Sequence, residues 1–149
     1  IAKNRKFAQL FTSLFRIRKI HKTYLALVYG KVNYPHKTLR DELVYYENKK
    51  KIIQKAISNI KIIKSNEAYS YLELNPITGR KHQLRKQLYM RGFPIIGDMK
   101  YNLKQNKSFE EQAMLLHSFE LKFIKNDKKY NYKAEPDNLF QKKLSLYFS

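Results

Sequence analysis

From His21 to Val32 the chain runs HKTYLALVYGKV, dense in Tyr, Leu and Val, with no breaker before Gly30. So short and continuous an apolar run reads as a strand, and apolar residues on both of its alternating faces need cover on both sides. The segment predicts the central strand of a sheet with further layers packed above and below.

The flanking patterns supply those layers. Phe7, Leu10, Phe11, Leu14 and Phe15 recur at the spacing of an amphipathic helix with a Lys/Arg-rich outer face. Asn33 to Asn48, with Pro35 and mixed charge, predicts a connection holding a short edge strand, and Lys49 to Lys51 a solvated tip. Gln54 to Lys64 and Ala68 to Asn75 predict a hairpin turning at Ser65-Asn66-Glu67, with Ala68, Ser70, Leu72 and Leu74 on one face. Pro76 and Gly79 then mark a turn, Lys81 to Met90 a helix carrying Leu84 and Leu88, and Gly92-Phe93-Pro94 its end.

Tyr101 to Met114 reads as a basic, Asn-rich, mobile excursion. His117 to Ile124 alternates, setting Phe119, Leu121 and Phe123 on one side, and pairs with Lys129 to Ala134 across Asn126-Asp127. Leu139, Phe140, Leu144, Tyr147 and Phe148 predict a closing amphipathic helix. With no internal repeat, low-complexity tract or linker, residues 1–149 are expected to form one α+β domain: a mixed, largely antiparallel sheet with packed helices.

The charge narrows the partners. Thirty-one basic residues, 24 of them Lys, against 12 acidic ones leave a net charge of +19. Such a surplus favours a polyanion, because cations near phosphates release condensed counterions, although a Lys-, Ile-, Asn- and Tyr-rich composition also raises it. The absence of Cys excludes a disulfide scaffold and a thiolate-ligated metal site. The longest apolar stretch, around Tyr24 to Tyr29, falls far short of the ~20 residues of a spanning helix. The basic amino-terminal segment looks superficially like a transit peptide, but its apolar spacing is that of a packed helix, so the cytoplasm is expected.

The most informative segment is Asn75-Pro76-Ile77-Thr78-Gly79-Arg80-Lys81-His82-Gln83-Leu84-Arg85. It joins a strand to a helix through Pro and Gly, then packs Arg, Lys, His, Gln and Arg into six residues. A helix start offers free N–H groups and a positive dipole end, and Arg80 at the turn could grip a carboxylate or phosphate through two bonds. A basic helix face is otherwise an ordinary solvated surface.

Thr78-Gly79-Arg80-Lys81-His82-Gln83-Leu84-Arg85 resembles the Thr-Gly-Arg-x-His-Gln-Ile-Arg signature of RluA/RluC/RluD-type RNA pseudouridine synthases. Further matches follow in that family's order. Ala2-Lys3-Asn4 is similar to the segment just after its His-Arg-Leu-Asp run, and Lys22 to Gly30 to its Lys-x-Tyr strand. Gly92 to Asp98 with Tyr101 is similar to its Gly-x-Pro-Ile-x-Gly-Asp-x-x-Tyr stretch, and Leu116-His117-Ser118 to its Leu-His-Ala strand. Asn102 stands where many relatives have Gly after the Tyr, a substitution that a left-handed turn tolerates.

The resemblance implies the family's catalytic-domain fold, incomplete at its amino end, and a reaction with no metal or organic cofactor. An aspartate attacks a uridine, and the base detaches, turns and rejoins the ribose through carbon five. Chemistry on a base requires unstacking it, so a flipped uridine held against an aromatic ring is expected. Tyr24 is implied as that ring and as the group removing the carbon-five proton, and Arg80 as the partner of the nucleophilic aspartate. Lys22, Lys81, His82, Gln83 and Arg85 are implied as supports of the site or contacts to RNA, while His82 and His117 equally suit hydrogen-bonded structural roles.

His-Arg-Leu-Asp itself is not found in these residues, and Asp41, Asp98, Asp127 and Asp137 stand in other contexts. The nucleophile is therefore expected upstream of Ile1, in a longer protein. The expected substrate is structured RNA, ribosomal large-subunit RNA ahead of tRNA. The alternative is a catalytically inactive basic RNA-binding fragment; a ribosomal protein fits less well, lacking long basic extensions.

Overall fold

The computed structural model describes residues 20–103 and 113–149. The helix expected over Phe7 to Phe15, the Ala2-Lys3-Asn4 match and most of the Tyr101 to Met114 excursion lie outside these residues.

Six strands form one sheet: β1 (Ile20–Tyr29), β2 (Thr38–Glu47), β3 (Lys50–Ser65), β4 (Tyr69–Pro76), β5 (Leu116–Lys125) and β6 (Lys128–Lys133), in the order β2-β3-β4-β1-β5-β6. Every pairing among them is antiparallel. Helix α1 (Gln83–Met90) follows β4, and α2 (Asn138–Tyr147) closes the chain. The α+β class expected from the sequence holds.

β1 is central, between β4 and β5, and Leu25, Ala26, Leu27 and Val28 are all buried. Ala26 and Val28 join Leu72 and Leu74 beneath Leu84 and Leu88 of α1, whereas Leu25 and Leu27 meet Phe140 of α2. Each buried Leu in these layers contributes roughly 1.5–3 kcal/mol of apolar transfer. The period-2 alternation of a strand thus feeds two separate cores.

The edge strand β2 is longer than expected, ten residues paired in full with β3. Lys49 does sit at a tip, but as half of a two-residue hairpin turn in which Asn48 and Lys49 have φ of 50° and 66°. Asn tolerates that left-handed backbone; Lys adopts it at a cost that the long ladder offsets. The β5–β6 hairpin turns at Asn126-Asp127 as expected, with φ of 51° and 62°.

Two expectations are corrected. Phe119 does not share a side with Leu121 and Phe123: a bulge opposite Thr23/Tyr24 shifts the register. Phe119 therefore packs with the Leu25/Phe140 cluster, while Leu121 and Phe123 pack with Ile20. Ala68 likewise falls just before β4 and is exposed, although Ser70, Leu72 and Leu74 are buried on one face.

Helix α1 ends at Gly92 (φ +85°), where Gly92 N–H donates to the Tyr89 carbonyl and Phe93 N–H to the Leu88 carbonyl, a Schellman closure. Asp137 caps α2, its carboxylate accepting the Phe140 N–H at 2.9 Å. No helix among the described residues is long and apolar enough to cross a membrane.

Candidate active site

Antiparallel pairing sets the start of β1 beside the end of β4, with Tyr24 opposite Leu74. Asn75 extends that seam past the ladder, its amide donating to the Lys22 carbonyl at 3.1 Å and to Thr23 Oγ1 at 2.8 Å. The chain then leaves β4 at Pro76 and turns into α1. A cavity of about 350 Å³ opens between that corner and β1, and Lys22, Tyr24, Thr78, Arg80, His82 and Arg85 all reach its wall. The sequence separates Tyr24 from Arg80 by more than fifty residues; the fold brings them to one cleft.

The corner is held on β3. Ile57 is its anchor: its carbonyl accepts the N–H groups of Ile77 (2.8 Å) and Thr78 (3.2 Å), and its own N–H donates to Thr78 Oγ1 (2.9 Å). Buried Gln83 completes the clamp. Its Oε1 accepts from Thr78 Oγ1 (2.6 Å) and from the Arg80 N–H (3.0 Å), while its Nε2 donates to the Ile57 carbonyl (3.0 Å) and Ser58 Oγ (2.7 Å). Two donors and two acceptor positions are all the amide has. Gln83 thus has nothing left for RNA and acts as a support beneath the site.

Arg80 leaves this clamp with its Nε donating to the Lys55 carbonyl at 2.9 Å, and no carboxylate pairs with it among the described residues. Arg85, though on the cavity wall, is committed: its Nε and Nη2 donate to the two oxygens of Asp98 at 2.7 and 2.8 Å, with side-chain exposures of 19% and 0%. Asp98 also accepts the N–H groups of Lys100 and Tyr101. Burial alone would raise the Asp98 pKa, but the Arg85 hydrogen bonds, backbone donors and Arg85 charge hold it below the usual carboxylate range. Arg85 therefore braces the turn after α1 rather than offering a free cation.

Tyr24 is half-buried and packs against the α1-side core. Burial raises its pKa, and a hydrogen bond with the Ser118 side chain pulls it partly back, so the phenol is protonated at neutral pH. Burial lowers the Lys22 pKa. His82, left-handed at φ 54° as the N-cap of α1, sits with Nδ1 3.0 Å from the Tyr101 hydroxyl. Burial, then repulsion from Arg85, Lys100 and Lys81, lowers its pKa, leaving the imidazole neutral near pH 7. Lys81 is exposed and off the cavity wall; its carbonyl accepts from the Tyr45 hydroxyl at 2.6 Å. His117 donates through Nε2 to the Ala134 carbonyl at 2.6 Å, in keeping with a structural role.

Sequence reasoning missed Thr78 as an anchor, Ser118 as the partner of Tyr24, and Met114 and Leu116 as apolar wall. Asn102 is also not left-handed; its amide donates to the Asp98 and Met99 carbonyls at 3.0 and 2.8 Å. The resulting cleft has one apolar side, one aromatic ring and an arginine without a carboxylate, an arrangement suited to a planar polar base next to an anionic group.

Comparison with known proteins fits this geometry. A family profile described as RNA pseudouridylate synthase matches residues 1–89. The chain is 32% identical to tRNA pseudouridine synthase C of Haemophilus ducreyi, across 82% of its own length and 59% of that protein's. It is 30% identical to ribosomal large subunit pseudouridine synthase D of Borreliella burgdorferi, across 80% of its length and 39% of that protein's. The chain thus spans well under two thirds of either relative. Among solved structures, human RNA pseudouridylate synthase domain containing 4 superposes with a TM-score of 0.77 at 22% identity, over 95% of this chain and 67% of that one. At that identity the likeness speaks to the fold.

Proposed function

The chain belongs to the RNA pseudouridylate synthase family, and on that footing we propose that its cleft receives a uridine turned out of structured RNA and serves its isomerisation to pseudouridine. The observation that carries the reading is the meeting of Tyr24 and Arg80 on one cavity wall, with Arg80 lacking a carboxylate among the described residues. Arg80 pairs with the nucleophilic aspartate, keeping it ionised and, through its planar fork, oriented. Tyr24 stacks on the flipped base. Lys22, two residues before Tyr24 on the same strand, meets the nucleotide's backbone, with His82 on the cavity wall and exposed Lys81 beyond it as outer contacts.

The aspartate comes from residues outside this chain. Each of its four aspartates is otherwise engaged or placed: Asp41 with Arg91 at 2.8 Å, Asp98 with Arg85, Asp127 in the β5–β6 turn and Asp137 as the α2 cap. On this reading the 149 residues alone bind RNA without turning it over. We take the substrate to be ribosomal large-subunit RNA ahead of tRNA, and the compartment to be the cytoplasm; the name of the Borreliella relative supports the former, while that of the Haemophilus relative makes tRNA the competing substrate.

The test is tritium release from RNA labelled at carbon five of uridine, using a protein extended at its amino end through the aspartate-bearing segment. Both ribosomal RNA and tRNA are offered. Turnover that Arg80→Ala abolishes supports the reading; full turnover in that variant refutes it. If no extended protein turns over while the chain still binds RNA, the second reading, an inactive RNA-binding fragment, takes its place.

A further inference from the structure

A second cavity, of about 450 Å³, opens at the far end of β3 and is lined by Tyr34, His36, Lys37, Ile60, Lys61 and Ile62. It shares no residue with the first. It exists because β3 outruns β2: their ladder stops at Thr38 opposite Asn59, while β3 continues to Ser65 against β4. The loop before β2 closes the gap only as far as the Ile60 N–H, which donates to the Lys37 carbonyl at 2.8 Å.

The chemistry of the walls is uneven. Ile60 and Ile62 give an apolar floor. Tyr34 is a fixed wall, half-buried on the core with the Arg91 guanidinium 5.2 Å from its ring centre; Arg91 is itself held by Asp41 at 2.8 Å. His36 is exposed and set edge-on to Tyr34, centroids 5.2 Å apart at 70°. Lys37 and Lys61 are exposed cations on the rim, and among the described residues no carboxylate lines the cavity, Glu73 standing across from Lys61 on β4. An exposed ring, an apolar floor and rim cations are the components with which proteins hold a base and its phosphate.

We propose that this cavity is a second nucleotide subsite, which takes a phosphorylated ribonucleotide with its base against His36 and Tyr34 and its phosphate between Lys37 and Lys61. The occupant is a unit of an RNA strand or a free nucleotide of the same chemistry. The proposal does not depend on the uridine-isomerising role of the first cavity.

The test is fluorescence anisotropy of the 149-residue chain with a short labelled single-stranded oligoribonucleotide, alongside calorimetric titration with uridine 5′-monophosphate and with uridine. The variants are His36→Ala, Lys37→Glu/Lys61→Glu, and Lys128→Glu/Lys129→Glu on β6 as a control of equal charge change, with circular dichroism confirming the fold. The Lys37/Lys61 reversal is expected to weaken oligonucleotide binding about tenfold or more and to flatten the salt slope by about 0.7, the value for one lost phosphate contact on a single strand. His36→Ala should weaken it about threefold, and the β6 control less than twofold.

Monophosphate binding that disappears in the Lys37/Lys61 variant assigns the site to a free nucleotide; a response to the oligonucleotide alone assigns it to RNA. An equal loss in the β6 control, or uridine binding as tightly as its monophosphate, overturns the proposal. The Lys37→Glu/Lys61→Glu effect should persist undiminished in an Arg80→Ala background, so loss of binding at the first cavity is read separately from loss at the second.

Discussion

The side-chain oxygen of Gln83 accepts the backbone N–H of Arg80 at 3.0 Å, so the residue that positions the arginine lies three places after it, buried beneath the corner it holds. The same oxygen takes the Thr78 hydroxyl, and the Gln83 nitrogen reaches β3. Gln83→Leu keeps the volume and strips every one of these bonds, leaving buried donors and acceptors unpaired. A loss of about 2–4 kcal/mol is expected from the shift in urea midpoint. Gln83→Glu, which keeps the acceptors and loses the donors, should fall between.

Arg80 tests the pairing with the nucleophile. In the extended, active protein Arg80→Lys should lower kcat by at least about tenfold, since an ammonium keeps the charge but not the two-pronged geometry. KM should change little. Equal activity of the Lys variant and the parent would show that charge alone is needed.

Tyr24 makes a pH prediction. Its pKa is raised, so the phenolate is a small fraction at neutral pH and grows tenfold per pH unit until the pKa is reached. If Tyr24 removes the carbon-five proton as phenolate, log kcat should climb with a slope near one through the neutral range, and Tyr24→Phe should both lower and flatten the profile. A profile already flat in the parent would limit Tyr24 to stacking on the base.

Asp98 predicts acid sensitivity. Its folded pKa lies below the unfolded value of about 3.9, so its stabilisation is complete above that value and drains away as pH falls through the folded one. Thermal unfolding should therefore show Tm falling as pH drops from about 5 towards 2. Asp98→Asn should flatten that limb, at a cost at neutral pH of about 3–5 kcal/mol for leaving Arg85 without its partner.

Much of this was legible in the sequence because it rests on periodicity. The unbroken run at Leu25 to Val28 could only be a doubly covered strand, and Asn126-Asp127 between two alternating runs could only be a tight turn. What escaped was what registers and long-range hydrogen bonds decide. Lys49 in a hairpin turn looks like part of a charge run, because the sequence does not show the ten-pair ladder that tolerates its positive φ. A single bulge at Thr23/Tyr24 moved Phe119 to the opposite core.

The site divides in the same way. Tyr24 and Arg80 were found through motif order, and both line one cleft. Gln83 and Arg85 were found too, as supports of the site or contacts to RNA, without their partners. Those partners are Thr78, Ser58 and Asp98, which a string of letters does not reveal.

The place of β1 has a consequence for how the chain acquires its shape. β2, β3 and β4 follow one another as local hairpins, and so do β5 and β6, but β1 touches neither of its immediate successors in the sequence. Its two neighbours are supplied by parts of the chain some forty and ninety residues on, so closing the sheet requires two large loops to be gathered at once. Until β4 has been synthesised, the most apolar strand of the protein has nothing to lie against. Of the six described strands, the earliest in the chain is thus the one whose two neighbours arrive late.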